Sequence, residues 1–225
     1  MSIGWPEWGS YPKSQNRIQY GSHVGEILDQ KDGYFVVACR NCIFHHLLPL
    51  PTEEFLDDYY KNKFYSISKP DYIERYEQDR EWHEMNHSYT ISQVLSLLTG
   101  STAYLDEEYR GVNLSVLDIG SGPGIFLDTA KTAGFITFGI EPCEEVASIV
   151  RQRGHAIVPT TLDEYLYAIE STGSTYPQFS MVNAHEVLEH LPNPERFIEQ
   201  CYSLLAPGGV LHIVVPSDYN ILQLE

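Results

Sequence analysis

The stretch that decides the fold is Val116-Leu117-Asp118-Ile119-Gly120-Ser121-Gly122-Pro123-Gly124. A continuous apolar run ends at an acidic residue, and three glycines follow at alternate positions. This order predicts a buried parallel strand, then a tight loop, then the first turn of a helix. In a parallel sheet, ligands bind outside the carboxyl ends of the strands, so the loop occupies a position where a binding site is expected.

Strand and helix patterns alternate along the chain after this loop. Because alternating strands and helices form parallel sheets with right-handed crossovers, we predict an α/β fold with a doubly wound, mainly parallel sheet. An Asn193 cap with Pro194 at the first helical position marks the last helix. The predicted strands cover 114–119, 136–140, 156–158, 179–184 and 210–215, and the helices between them end near 133, 153, 170 and 206.

The spacing of the loop glycines separates classes of cofactor. A dinucleotide fingerprint needs its third glycine at position 125, where this chain has Ile125. The carboxylate of Asp118 would repel a pyrophosphate and attract an ammonium or sulfonium group, and Pro123 lacks a backbone donor that a phosphate would use. The loop therefore favours a cationic ligand, and a nicotinamide oxidoreductase is disfavoured.

Four motifs in order carry a resemblance to a known family. Residues 116–124 resemble the first motif of the class I S-adenosylmethionine-dependent methyltransferases, and Gly139-Ile140-Glu141-Pro142 resembles the second. Residues 185–194 are similar to the segment after the fourth strand, and residues 204–209 to the turn into the fifth. The resemblance covers about half the chain and includes the type 11/12/23 methyltransferase group. It implies a Rossmann-like methyltransferase fold with S-adenosylmethionine as the cofactor.

The resemblance also implies a set of cofactor-binding residues. Asp118 would hold the ammonium group and Glu141 the ribose hydroxyls, while the glycines let the backbone approach the methionine part. Thr160, Thr161 or Leu162 would lie beside the adenine, where Asp163 is the acid available. The expected set is Asp118, Gly120, Ser121, Gly122, Gly124, Glu141, Pro142, Thr161, Leu162 and Asn183.

General bases are expected at the strand ends, where His185, Glu186 and His190 are the candidate catalytic residues. An imidazole near its ordinary pKa is suited to proton transfer near neutral pH, although Glu189 and His190 would equally serve to cap their own segment. Glu186, Glu189 and His190 also resemble a metal-binding cluster of ubiquinone-pathway and small-RNA O-methyltransferases. Relatives without metal share these residues, so no metal is expected there.

The N-terminal segment resembles the zinc-binding module of sugar methyltransferases in degenerate form. Trp5-Pro6-Glu7-Trp8-Gly9-Ser10 has tryptophan where that module has cysteine, whereas Cys39-Arg40-Asn41-Cys42 keeps the second cysteine pair. A structural zinc site takes four ligands. We therefore expect a metal-free module at 1–69, with a strand at 34–38 and a short helix up to Tyr60, followed by a helical cover at 70–111, in which Gly100 caps a helix, and the cofactor domain at 112–225. The alternative is that Cys39 and Cys42 recruit His45 or His46.

Composition excludes several classes of protein. The chain has 14 basic and 31 acidic residues and a net charge of −17, so it repels nucleic acids and anionic membranes over most of its surface. Four cysteines are too few for a disulfide scaffold. The first residues do not resemble a signal peptide and no apolar run is long enough to span a membrane, so a cytoplasmic location is expected.

These patterns together predict methyl transfer from S-adenosylmethionine to a small-molecule acceptor, with a sugar or glycan precursor favoured. The alternative is a catalytically silent cofactor-binding or scaffold protein, because the family's strands after the fifth are missing beyond Val215. An uncovered fifth strand is a pairing surface. The alternatives are that the sequence is a fragment or truncated product, or that another chain covers this edge, as in a homodimer.

Overall fold

The computed structural model describes residues 17–100, except 32 and 43, and residues 114–216. The chain divides into two compact units, an N-terminal unit of Met1–Glu53 and a C-terminal unit of Glu54–Glu225. The sequence placed this boundary near residue 69, but the helices that follow Glu53 belong to the second unit. Three parts of the sequence lie outside the described residues. They are the segment in which Trp5 and Trp8 stand in place of cysteines, the link at 101–113 and the end of the chain after 216.

The N-terminal unit contains an antiparallel sheet with the strands in chain order. Burial alternates along the third strand, because successive side chains of a strand point to opposite faces. A cluster of four buried residues, Ile18, Phe35, Val37 and Leu48, forms its core. Only the third strand was predicted from the sequence. The strands are β1 Arg17–Tyr20, β2 His23–Lys31, β3 Tyr34–Cys39 and β4 His45–Leu48.

The C-terminal unit begins with a helical segment. The sequence predicted a helix up to Tyr60, but after α1 the chain continues as a π-helix to Ser68. Gly100 ends α3 in the left-handed conformation, with φ of 67°, as its position predicted. The elements are α1 Glu53–Asp58, the π-helix Tyr59–Ser68, α2 Tyr72–Gln78 and α3 Arg80–Thr99.

A five-stranded sheet in the order β7-β6-β5-β8-β9, with every pairing parallel, confirms the α/β fold class. The predicted elements agree with the observed bounds to within two residues, except that α7 ends at Ser203 rather than near 206 and β9 begins at Leu205 rather than at Val210. The strands are β5 Ser115–Ile119, β6 Ile136–Ile140, β7 Ala156–Val158, β8 Phe179–His185 and β9 Leu205–Val214. The helices are α4 Ile125–Thr132, α5 Glu144–Gln152, α6 Leu162–Ser171 and α7 Pro194–Ser203, with a 3₁₀ turn at Leu188–His190.

Two clusters of buried apolar side chains form the core of the C-terminal unit. One includes Leu117, Ile140 and Val182 and extends to α6 and α7. The other includes Val116, Phe126 and Met181 and extends to α3. Within the described residues β9 forms an edge of the sheet, and pairing of two copies through that edge stays a prediction. None of the helices in the described ranges is long and apolar enough to cross a membrane.

Candidate functional site

The site lies where the chain stops adding strands on one side of β5 and begins to add them on the other. The chain runs outward from β5 through β6 to β7 and then returns to β8 on the other side of β5, which makes the ends of β5 and β8 the topological switch point. The strand register pairs Asp118 with Asn183 there. The Asn183 amide donates a hydrogen bond of 2.7 Å to Asp118 Oδ1, so both predicted residues are brought together.

A polar row continues from this pair to the edge of the sheet. Since the Asn183 amide nitrogen already donates to Asp118, its oxygen Oδ1 accepts, and the 2.6 Å contact with His212 makes His212 Nδ1 the donor. His212 lies on β9 and was not among the predicted site residues. A histidine within an apolar strand is equally typical of a structural residue, so the sequence did not identify His212 as part of the site.

The glycine loop presents its backbone to the cavity that follows β5. Gly120 and Gly124 have φ values of 69° and 85°, in the left-handed region that favours glycine. A Cβ at Gly120 would lie 2.7 Å from Val187 Cγ2, and one at Gly124 would lie 3.0 Å from Val150 Cγ2. Ser121 Oγ is buried and has no hydrogen-bond partner in the described structure. Such an orphaned hydroxyl is available to a ligand.

Glu141 connects the end of β6 to the glycine loop. Its carboxylate accepts hydrogen bonds of 3.0 Å from the amides of Gly122 and Cys143. The Tyr65 hydroxyl of the π-helix donates a further bond to the same carboxylate. Gly122 lies beside this contact, since a Cβ there would be 3.8 Å from the Tyr65 hydroxyl oxygen. The Tyr65 hydroxyl therefore uses the Glu141 carboxylate as its acceptor, whereas the sequence assigned that carboxylate to the ribose hydroxyls.

The two predicted carboxylates are buried, and none of the described residues forms a salt bridge with them. Burial raises the pKa of Asp118 to about 7 against the opposing hydrogen bond from Asn183, and the charge of Glu141 contributes to this rise. Burial likewise raises the pKa of Glu141 to about 7, against the hydrogen bonds from Cys143, Gly122 and Tyr65. A positively charged ligand would restore both ionised forms. The donor set fits a ligand that carries a cation and hydroxyl groups.

An aromatic cover lies over the glycine loop, and it consists of Tyr65, Tyr72 and Tyr76. Tyr72 and Tyr76 stack with ring centroids 5.4 Å apart, and the Tyr72 ring meets that of Tyr65 at 5.7 Å. Tyr72 and Tyr76 line the same cavity as Asp118, Gly122 and Asn183. These three tyrosines were not predicted from the sequence. Their signal was the density of aromatic residues between 59 and 76, which also fits an ordinary packing surface.

A network of charged side chains holds the cover against the sheet. Arg80 at the start of α3 contacts Glu77 at 2.8 Å and Asp128 of α4 at 3.0 Å. Arg153 after α5 reaches the same two carboxylates, at 2.5 and 3.2 Å, and donates a 2.7 Å bond to the carbonyl oxygen of Pro123 in the glycine loop. The loop and the cover therefore share one network.

The predicted catalytic residues separate into two groups. His185 at the end of β8 and Glu186 line the cavity beside Asp118, whereas its described lining does not include His190. Burial lowers the pKa of His185, although the Glu186 carboxylate opposes the shift. A neutral imidazole at this position is able to accept a proton near neutral pH. The ring of His87, buried on α3, lies 5.8 Å from the His185 ring centroid.

The Glu186, Glu189 and His190 segment does not assemble as a metal site in the described structure. Glu186 has a φ of 55° and its amide donates a 2.8 Å hydrogen bond to the Val214 carbonyl. His190 lies on the 3₁₀ turn, where its ring contacts that of Tyr60 at a centroid distance of 5.5 Å. Among the described residues, a group with metal-ligand spacing occurs in the N-terminal unit and does not include these three.

The region assigned to the adenine is engaged in local contacts. Thr161 caps α6 in a capping box with Glu164, and Leu162 is buried in the core. Asp163 accepts hydrogen bonds of 2.6 Å and 2.5 Å from Arg196 and Gln200. Its carboxylate is therefore bound to side chains of α7. The placement of Thr161, Leu162 and the half-buried Pro142 beside a cofactor stays a prediction.

Comparison with known families agrees with this geometry. A family described as a methyltransferase domain matches residues 82–224, which is more than half of the chain. The chain belongs to the class I S-adenosylmethionine-dependent methyltransferases. This methyltransferase match begins inside α3, so it includes most of that helix as well as the sheet, whereas the aromatic cover precedes it.

Relatives of this methyltransferase include two named as ubiquinone biosynthesis O-methyltransferase. The Haemophilus ducreyi protein is 30% identical over 151 residues, or 63% of this chain and 61% of that one. The Actinobacillus pleuropneumoniae serotype 5b protein is 30% identical over 137 residues, or 58% and 57%. The chain thus matches about three fifths of the length of these relatives.

Two solved structures are also similar to the chain. The plantazolicin methyltransferase BpumL in complex with SAH has a TM-score of 0.43 at 18% identity, with 70% of this chain and 56% of that chain covered. The magnesium protoporphyrin IX methyltransferase of Synechocystis PCC 6803, with bound SAM, has a TM-score of 0.46 at 16% identity, with 70% and 74% covered.

Proposed function

We propose that the protein transfers a methyl group from S-adenosylmethionine to a hydroxyl group of a small molecule. The observation that carries the proposal is the pair of buried carboxylates, Asp118 and Glu141, at neighbouring strand ends on either side of a glycine loop. Two carboxylates that form no salt bridge within the described ranges match the positive charge and the ribose hydroxyls of this cofactor. Family membership supports the same cofactor.

Each carboxylate has a separate part in holding the cofactor. Glu141, already fixed by two backbone amides, accepts the ribose hydroxyls once the Tyr65 hydroxyl leaves it. Asp118, fixed by Asn183, attracts the ammonium group. Ser121 Oγ supplies a hydrogen bond that the described protein does not use. The bound cofactor supplies a methyl group that is already activated on a sulfonium.

The remaining tasks belong to the residues that face the acceptor. Alignment and exclusion of water account for much of the rate of such a transfer, and the aromatic cover of Tyr65, Tyr72 and Tyr76 provides an apolar wall for both. His185 takes the proton from the acceptor hydroxyl on an imidazole nitrogen, because its lowered pKa keeps it neutral. The Glu186 carboxylate beside it stabilises the imidazolium that results.

We infer a sugar or glycan precursor as the first acceptor class to test. Its support is the resemblance of residues 5–42 to the module that precedes some sugar methyltransferases. Phenolic acceptors form the second class, because the relatives named above are ubiquinone biosynthesis O-methyltransferases. Both classes offer a hydroxyl, so the proposed chemistry is the same for each.

The test measures transfer of labelled methyl groups to a panel of sugar and phenolic hydroxyl compounds. The expected result is transfer by the wild-type protein and a loss of about 100-fold or more in His185→Gln with cofactor affinity retained. His45→Gln, an exposed histidine of the other unit, is the matched control and keeps full activity. Cofactor binding without transfer to any member of the panel would instead support a catalytically silent binding protein.

A further inference from the structure

Four potential metal ligands meet in the N-terminal unit. His23 begins β2, Cys39 ends β3, Cys42 lies in the following turn and His46 is on β4. Each offers one ligand atom, and all four atoms lie within 4.8 Å of one another. We call these residues the thiol–imidazole cluster. The antiparallel pairing of β2, β3 and β4 brings together residues that are 16, 3 and 4 positions apart in sequence.

The contacts inside the cluster are close to those of a single tetrahedral ion. His23 Nδ1 lies 3.3 Å from Cys42 Sγ and 3.9 Å from Cys39 Sγ. The His23 and His46 ring centroids are 4.8 Å apart, with the ring planes at 77°. Ligand atoms of a tetrahedral zinc site lie about 3.3 to 3.8 Å apart, given bond lengths of about 2.3 Å to sulfur and about 2.0 Å to nitrogen. A small contraction of the cluster reaches that geometry.

An independent observation at His46 points to a missing ligand. His46 Nε2 is buried and has no hydrogen-bond partner in the described structure. The other ring nitrogen, Nδ1, lies 2.9 Å from the Leu47 carbonyl oxygen and therefore carries the hydrogen. Metal-binding histidines characteristically donate their second ring N–H to a carbonyl or carboxylate, which orients the ring and leaves the other nitrogen for the metal.

We propose that His23, Cys39, Cys42 and His46 form a structural zinc site. Two sulfur and two nitrogen ligands suit zinc or an iron–sulfur cluster. In a mixed two-iron cluster the cysteines and the histidines bind different irons, whereas here His23 lies within 3.3 Å of a cysteine sulfur. Four protein ligands leave no open position, which is typical of structural rather than catalytic zinc.

The site would stabilise a unit that has a small apolar core. The described residues of the N-terminal unit form one core cluster of four buried side chains, and small domains often depend on a metal for stability. The zinc ion would join three of the four strands. The sequence predicted a metal-free module because tryptophans replace the first cysteine pair. His23 was not considered as a ligand, since it is 16 positions from Cys39 in sequence.

The first test is the zinc content and thermal stability of the full chain. Protein purified from zinc-supplemented cells and dialysed against a weak chelator is expected to retain about one zinc per chain. Removal of zinc with a strong chelator lowers the melting temperature, since a ligand that binds only the folded state stabilises it. Folded protein with well under one zinc per chain, and a melting temperature insensitive to the chelator, would overturn the proposal.

Variants and cobalt substitution identify the ligands. His46→Ala is expected to lose the zinc, while His45→Ala, its exposed neighbour on the same strand, keeps it. Cobalt(II) in the wild-type protein should give the intense visible absorption of a tetrahedral ion together with a thiolate charge-transfer band. This readout uses the unaltered chain, so it holds even where His46→Ala does not fold. A pale octahedral cobalt spectrum, or equal zinc loss in both variants, would contradict the assignment.

Discussion

Each unit of the protein contains a cluster of polar groups that could hold a ligand, but the chemistry of the two clusters differs. In the N-terminal unit the groups are two thiols and two imidazoles. In the C-terminal unit they are the carboxylates of Asp118 and Glu141, which are 3% exposed. Soft sulfur and nitrogen donors select a transition metal, whereas buried carboxylates select an organic cation or hydroxyl donors. The donor atoms therefore separate a structural site from a functional one.

The apolar cores of the two units explain this division. The C-terminal unit has two large apolar clusters, one on each side of its parallel sheet, so its fold does not depend on the ligand. The N-terminal unit has a cluster of four buried side chains, so a ligand there contributes to folding itself. Loss of the ligand should reduce activity in one unit and stability in the other.

The largest expected effect is on cofactor affinity in Glu141→Ala. Loss of charge-assisted hydrogen bonds weakens S-adenosylmethionine binding by about 1 to 3 kcal/mol, or roughly 5- to 150-fold. Zinc content should not change, because Glu141 lies in the other unit. Titration calorimetry measures the affinity, and Glu144→Ala, an exposed acid in the first turn of α5, is the matched control. An unchanged affinity would remove Glu141 from the site.

The next effect is the pH dependence of cofactor binding. Burial raises the pKa values of Asp118 and Glu141 to about 7, and the Asp118 carboxyl must lose its proton when it binds the ammonium group. We expect the affinity to rise about tenfold from about pH 6 to about pH 8, with proton release on binding. Titrations in buffers of different ionisation enthalpy detect these protons, and a flat profile would show that neither carboxylate faces the positive charge.

The same two groups affect the ligand-free protein in the opposite direction. Their folded-state pKa values lie above the ordinary values of 3.8 and 4.5, so the folded state binds these protons more tightly than the unfolded chain. Their contribution to stability is present below about pH 4 and is lost as the pH rises to about 7. The thermal stabilisation caused by the cofactor should therefore grow over this interval.

A smaller effect is expected from Tyr65→Phe. The Tyr65 hydroxyl donates to the Glu141 carboxylate, and a bound ribose would compete for that acceptor. Removing this bond should tighten cofactor binding about fivefold, since one hydrogen bond contributes about 1 kcal/mol. Tyr72→Phe changes a neighbouring ring of the aromatic cover and is the control. Weaker binding in Tyr65→Phe would mean that this hydroxyl instead belongs to the cofactor-bound site.

The smallest effect is on stability in Arg153→Met. Arg153 pairs with Glu77 and Asp128 in a partly exposed network, so screening by solvent limits the expected loss to about 1 kcal/mol. Urea unfolding measures this loss. Arg151→Met, which breaks a more exposed pair with Glu144, is the control and should change less. A larger loss in the control would show that the network does not hold the cover.

Sequence reasoning was most successful where the structure follows local rules. The strand from Ile136 to Ile140 and the cap at Gly100 were predicted because hydrophobic period and glycine conformation are local properties. The glycine loop was predicted for the same reason. The contact between Tyr65 and Glu141 was not predicted. It joins residues 76 positions apart in sequence, and the π-helix that contains Tyr65 has no periodic pattern from which it could be predicted.

The N-terminal unit shows the limit of such reasoning. Its four strands are short, and only β3 has a clear apolar pattern. The Cys39 and Cys42 pair was visible in the sequence, but the choice of His46 over His45 depends on which face of β4 each occupies. His23 depends on the pairing of β2 with β3. These are properties of strand register, which the sequence of short polar strands specifies weakly.

The most direct measurement of the central claim is a calorimetric titration of the wild-type protein with S-adenosylmethionine at about pH 8, where both carboxylates are largely ionised. The account predicts saturable binding at one site per chain, accompanied by proton release, and no binding of a nicotinamide dinucleotide. An absence of binding heat for S-adenosylmethionine in folded protein, or preference for the dinucleotide, would contradict the assignment of the glycine loop, Asp118 and Glu141 to this cofactor.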